Sequence, residues 1–175
     1  NSNLIRIILL RRILFTSFIL FLIHISAICV RAQSSADDLL YRKFRVTLVP
    51  GLSTNGVDAD RYNAKYSLNL LAGYHGGLEG YELGLVNINK YFSRGIQAGL
   101  LNITGGEMSG VQLSGFGNLS SGELSGLQFS GMGNISGSGM EGLQFAGFGN
   151  LGAAEMSGMQ MAGLMNNKGM TWRGY

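Results

Sequence analysis

Apolar residues recur through the second half of the chain at a spacing no helix produces. With Gly110, Gly126, Gly142 and Gly158 as position zero of successive copies, the step is 16 residues. Apolar side chains stand at +1 (Val111, Leu127, Leu143, Met159) and at +6 (Phe116, Met132, Phe148, Leu164). They return at +9 (Leu119, Ile135, Leu151) and at +14 (Leu124, Met140, Met156, Trp172). Polar positions recur as strictly, with Gln112, Gln128, Gln144 and Gln160 at +2 and Asn118, Asn134, Asn150 and Asn166 at +8. A helical period of 3.6 fits none of these columns, and each helical glycine would cost roughly 1 kcal/mol. Short strands broken by Ser-Gly, Gly-Asn and Gly-Gly turns fit them, so the pattern predicts an all-β protein.

A fixed short period is the mark of a stacked repeat. Two earlier copies, led by Gly80 and Gly95, step by 15 residues instead. The missing residue is expected between Glu82 or Gln97 and the following Gly84 or Gly99.

Two β arrangements compete. In a β-solenoid of 15–16-residue coils, equivalent residues stack along the axis, and the Asn and Gln columns become ladders of the kind that stabilise in-register strands. In an antiparallel meander or barrel segment, each eight-residue half is a strand with a tight turn. Position +6 has the wrong parity for one straight strand with +1, so the chain must turn at the Ser-Gly or Ala-Gly of +4 and +5, where glycine tolerates positive φ. A bend in each half favours the solenoid. In that arrangement the +1 column (Leu127) is expected to point inward, and Gln128, of opposite parity, to sit on the outer wall.

Upstream of the repeats the chain falls into three parts. Residues 1–32 read as a signal peptide: Arg6, Arg11 and Arg12 precede the uncharged apolar run Ile13 to Val30, and Val30-Arg31-Ala32 offers a cleavage site before Gln33. A retained transmembrane anchor is the alternative, since 18 apolar residues just suffice to span. Residues 33–43 are a polar linker. Residues 44–79 form an N-terminal β cap, with strands expected at Tyr41 to Pro50 and Tyr66 to Tyr74, a polar loop from Gly51 to Lys65 and a turn at His75-Gly76-Gly77. The repeat domain occupies 80–175. It breaks off two residues into a further copy at Gly174-Tyr175, as a C-terminally truncated chain would.

Removing the leader changes the charge. It holds four of 13 basic and none of 10 acidic residues, leaving a net charge of −1. From Gly95 to Asn166 the only charges are Glu107, Glu123, Glu141 and Glu155. Nucleic-acid binding needs clustered Lys and Arg, and this stretch excludes it. Cys29, the one cysteine, leaves with the leader, so no disulfide is expected.

Several segments together resemble the uncharacterised surface repeat-containing proteins of Gram-negative bacteria. They are the leader ending Arg-Ala-Gln, Val46-Thr-Leu-Val-Pro-Gly-Leu-Ser-Thr-Asn-Gly56, Tyr66-Ser-Leu-Asn-Leu-Leu-Ala-Gly-Tyr74, Leu85-Val-Asn-Ile-Asn89 and the Gly-Leu-Gln-x-Ala/Ser-Gly-x-x-Asn copies. The resemblance implies an exported, envelope-associated protein and transfers no catalytic or binding residue.

Motifs for chemistry are few. Gly147-Phe-Gly-Asn-Leu-Gly152 matches GxGxxG, but its sister copies carry Ser120 and Ser136 at the last position and no helix is expected after it. Asn102, Asn118 and Asn134 match the glycosylation acceptor pattern, and a turn role explains them better. His75 stands alone after cleavage and reads as a loop residue. The Glu column of Glu107, Glu123 and Glu155 reads as solvated turn charge, and Met and Phe at repeat positions as core. No catalytic, cofactor or metal residue is expected. The function expected is that of an exported cell-surface or envelope repeat protein with a structural or interaction role, its partners other envelope or host-surface components. An outer-membrane barrel segment and a β-helical polysaccharide-acting enzyme are the alternatives.

Overall fold

The computed structural model describes residues 39–152 and 156–167. The expected leader, most of the linker, Glu155, Trp172 and the Gly174-Tyr175 pair lie outside the described residues. The described chain is a β-solenoid of about five turns with a spacing of roughly 16 residues.

The coil begins at β1 (Leu40–Val49), which pairs in parallel with β3 (Tyr62–Thr104). Between them lie the two-residue strand β2 (Leu52–Ser53), antiparallel to β1, and a short 3-10 helix, Gly56–Arg61. Strand β3 runs through His75-Gly76-Gly77 as extended chain, so the turn expected there is absent. After β4 (Glu107–Ser120) each copy divides into a seven-residue strand and a shorter one. The first kind comprises β5 (Leu124–Ser130), β7 (Met140–Ala146) and β9 (Met156–Ala162). The second comprises β6 (Gly133–Ser136), β8 (Gly149–Gly152) and β10 (Met165–Asn167).

Each copy lies in parallel register on the one before: Gln112 on Gln128, Gln128 on Gln144, Gln144 on Gln160. On the opposite wall Asn118, Asn134, Asn150 and Asn166 align in the same way. Parallel pairing removes the antiparallel meander. The bend between the walls falls at Gly131-Met132 and its equivalents, one residue beyond the expected Ser-Gly, where Gly131 N donates to Ser114 O and Met132 N to Phe116 O.

The shortened copies are absorbed at this corner. Gly99 pairs with Ser114 and Leu101 with Gly117, so the register shift sits between Gly99 and Leu101 and not before Gly99. Ladder hydrogen bonds fix the strand, and the bend yields the residue.

The leading glycine column has a steric cause. Gly110, Gly126, Gly142 and Gly158 have φ of 127°, 137°, 138° and 140°, a region costly for any residue with a Cβ. A Cβ on Gly126 would also run into the carbonyl oxygen of Gly110, one coil below, and the others meet their predecessors likewise.

Side-chain parity decides what lies inside. Leu124 and Gln128 are four residues apart on one strand and share its inner face, whereas Leu127 takes the outer one. In the later coils the buried apolar cluster is the narrow +14 column, Met108, Leu124 and Met140, with Met156 packed against it, and in the earlier coils Leu78, Phe92 and Ile103 are buried. The expected inward +1 column is on the outside. Gln128, expected on the outer wall, is fully buried.

Candidate functional site: a polar interior and an apolar outer wall

The interior is built from amides. Gln160 donates from Nε2 to Gln144 Oε1, Gln144 to Gln128 and Gln128 to Gln112, each at 2.6 Å, and Gln112 to Gln97 at 2.7 Å. The second Nε2 hydrogen finds Ser136, Ser120 or Thr104 at 2.9–3.1 Å, from the inward +10 position. On the other wall the donation runs the opposite way along the axis. Asn87 Nδ2 reaches Asn102, Asn102 reaches Asn118, then Asn134, Asn150 and Asn166, at 2.8–2.9 Å. From Asn87 to Asn150 each Asn also donates to a main-chain carbonyl of the next coil, such as Asn118 to Phe129 O at 2.9 Å. Aligned amide chains polarise one another, and burial removes the competing water.

The glutamine ladder ends on a carboxylate. Glu82 holds the +2 place in the first copy, and Gln97 Nε2 donates to its Oε2 at 2.9 Å. Asn89 donates to the same oxygen at 2.7 Å, while Asn69 and Ser67 donate to Oε1 at 2.8 and 3.2 Å. Arg45 Nη2 lies 3.7 Å from Oε1 and donates to Ser67 Oγ at 3.1 Å. Burial lowers the guanidinium pKa to about 10, partly countered by Glu82. His75, expected in a loop, is fully buried here. Its Nε2 is 3.5 Å from Glu82 Oε1 and 3.0 Å from Asn69 Oδ1. Burial first, and the Arg45 charge second, push its pKa down to about 2. The imidazole is therefore neutral, with the Nε2 proton given to Asn69, and its approach to Glu82 is not an ion pair.

The outer wall is apolar. The +1 column is exposed or half-buried along its length: Phe44, Tyr66 and Tyr81 stack with centroids 5.0 and 5.9 Å apart, and Val111, Leu127 and Leu143 continue the row. Beside it runs a +3 column, Leu113, Phe129, Phe145 and Met161, in which Phe129 and Phe145 stack at 4.9 Å. The +6 column turns the corner, with Phe116, Phe148 and Leu164 exposed at 52%, 54% and 73%. These Phe and Met positions, expected in the core, stand outside because the amide ladders occupy the inner face. A groove of about 630 Å³ follows the +3 and +4 columns from Ala98 to Ala162 and carries no charged side chain.

The motifs take their places around this frame. Glu107 and Glu123 are exposed at the opposite corner, as solvated charge, and Arg94 meets Glu107 at 3.2 Å. Asn102, Asn118 and Asn134 are interior ladder residues within strands, not turn residues, and their side chains offer no acceptor to a glycosyl donor. Gly147 to Gly152 is a bend followed by β8, with Asn150 turned inward. Among the described residues no three His, Cys, Asp or Glu side chains stand together to hold a metal ion. No helix there is long and apolar enough to cross a membrane.

The Glu82 cluster escaped sequence reasoning, although one signal was available. Glu82 stands in the column that later copies fill with Gln97, Gln112 and Gln128. A carboxylate in register with amides marks the end of an amide ladder.

Comparisons with sequence families, with curated proteins and with solved structures return no match.

Proposed function

We propose that this chain is an exported cell-envelope protein with a structural or interaction role and no catalysis. The observation that carries the reading is the inverted distribution of polarity. The amides are turned inward and satisfied by one another, and the +1, +3 and +6 apolar rows are turned out, as in proteins whose surroundings are not bulk water. The resemblance to Gram-negative surface repeat proteins and the leader at residues 1–32 point the same way. Its partners are other envelope or host-surface components.

An outer-membrane barrel closes antiparallel strands on themselves. Here successive copies pair in parallel, so the solenoid, and not a barrel segment, is the form in which the wall is presented. A polysaccharide-cleaving site would need two carboxyl groups facing one cleft. The groove has none.

Fractionation of the host, followed by immunodetection and N-terminal sequencing, tests the reading. The expected result is a protein in the envelope fraction that starts at Gln33 and is cut by protease added to whole cells. Recovery in the cytoplasm with Arg6 still present would overturn it.

A further inference from the structure

We propose that the outer wall is a lipid-contacting surface, its +1, +3 and +6 columns set into the acyl-chain layer of an anionic bilayer. This rests on the envelope reading and names the partner of that wall.

Three observations choose hydrocarbon over a protein. The apolar surface is not confined to one face: it covers the flat wall at Leu113 and Phe129 and continues round the corner at Phe116 and Phe148. A rigid partner covers one face, whereas fluid hydrocarbon covers both. The strand backbone of this wall is paired with its neighbours through consecutive copies, which meets the demand hydrocarbon makes of any chain it surrounds. The groove along the +3 column is open, apolar and uncharged, and the small side chains of Ala98, Ser114 and Ser130 leave room for a flexible methylene chain to lie across the coils.

Charge supplies the headgroup end. Residues 39–94 carry seven basic and four acidic side chains, and residues 95–167 carry no basic one. The buried Arg45 and Glu82 offset each other, so the outward excess belongs to cations placed over rings. Lys43 lies 5.8 Å from the Phe44 ring, Lys65 5.8 Å from Tyr66 and Arg42 5.4 Å from Tyr62. Basic and aromatic side chains side by side are the composition that settles at the boundary between headgroups and hydrocarbon, where the cation meets phosphate and the ring meets the upper acyl chain. The first coils thus face anionic headgroups. The uncharged wall of the later coils lies against the acyl chains, and the exposed Glu107, Glu123 and Glu141 stand away from it at the opposite corner.

The test uses the full chain with Cys29→Ser and single cysteines carrying an environment-sensitive fluorophore. Leu113→Cys places it in the groove, Phe116→Cys at the apolar corner and Ser125→Cys on the polar side, all at exposed positions whose far-ultraviolet dichroism checks the fold. In vesicles of phosphatidylethanolamine and phosphatidylglycerol containing nitroxide-labelled acyl chains, quenching at 113 and 116 should exceed that at 125 several-fold. Lys43→Glu with Lys65→Glu should weaken it several-fold, as should added salt. Equal quenching at all three positions would overturn the proposal. So would probes at 113 and 116 shielded from both the nitroxide and aqueous iodide, which would make the wall an interface between copies of this chain. An envelope-located protein with an unquenched wall leaves the function reading standing and removes only this one.

Discussion

Glu82 shows how one residue sets the chemistry of its surroundings. Both of its oxygens face donors: Ser67 and Asn69 on one, Asn89 and Gln97 on the other. Glu82→Gln keeps the shape, yet either orientation of the amide turns an N–H group on a donor and leaves Arg45 without its countercharge. Removing one partner of a buried pair costs about 3–5 kcal/mol, and thermal unfolding of the variant should show a loss of that order. His75 gives the same site a pH dependence. Its folded pKa, about 2, lies below its ordinary value of 6.5, so the unfolded chain binds the extra proton between these values. The stability from a neutral His75 is complete above pH 6.5 and is lost as the pH falls toward 2, at up to about 1.4 kcal/mol per unit. Urea unfolding between pH 7.5 and 5 should show the decline. A flat profile would mean that His75 takes up its proton without unfolding.

At the scale of the coil, the unit is fixed by a glycine and two amides. The glycine lets the backbone pass over its predecessor at positive φ, and the amides tie the coil to its neighbours. Gly126→Ala meets both the unfavourable φ and the Gly110 carbonyl. It should lower stability by at least 2 kcal/mol, against a few tenths for Ser125→Ala at an exposed position. Comparable midpoints for the two in thermal unfolding would show that the coils are not so closely stacked. The period, the strand type, the bend and the stacked Asn and Gln columns were all legible in the sequence, because a repeat states its register many times over. The place of the missing residue in the short copies was not. Gly99 resembles Gly115 in sequence, but hydrogen bonding ranks Ser114 as its partner.

At the scale of the whole molecule, the +1 and +2 columns exchange their expected places, Leu127 outside and Gln128 inside, while the +14 column stays in the core. The assumption that regular apolar columns form the core placed Leu127 inward, although Leu124, three residues earlier on the same strand, already claimed the opposite face. Four columns cannot all fit the interior of a 16-residue coil, and the amides win it because each buried amide satisfies the next. The Glu82 cluster was hidden for a related reason: its members, from Arg45 to Gln97, are drawn from separate coils and meet only when the coils stack. A pair of truncations in thermal unfolding tests this exchange of inner and outer columns most directly. Gln128→Ala takes one ladder partner each from Gln144 Nε2 and Gln112 Oε1 in a closed interior, leaving them only Ser136 and Ser120, and buried hydrogen-bonding capacity left unmet costs about 1–3 kcal/mol, whereas Leu127→Ala trims a half-exposed outer side chain. The exchange predicts a clearly larger fall in midpoint for Gln128→Ala. A larger fall for Leu127→Ala would contradict it and return the apolar columns to the core.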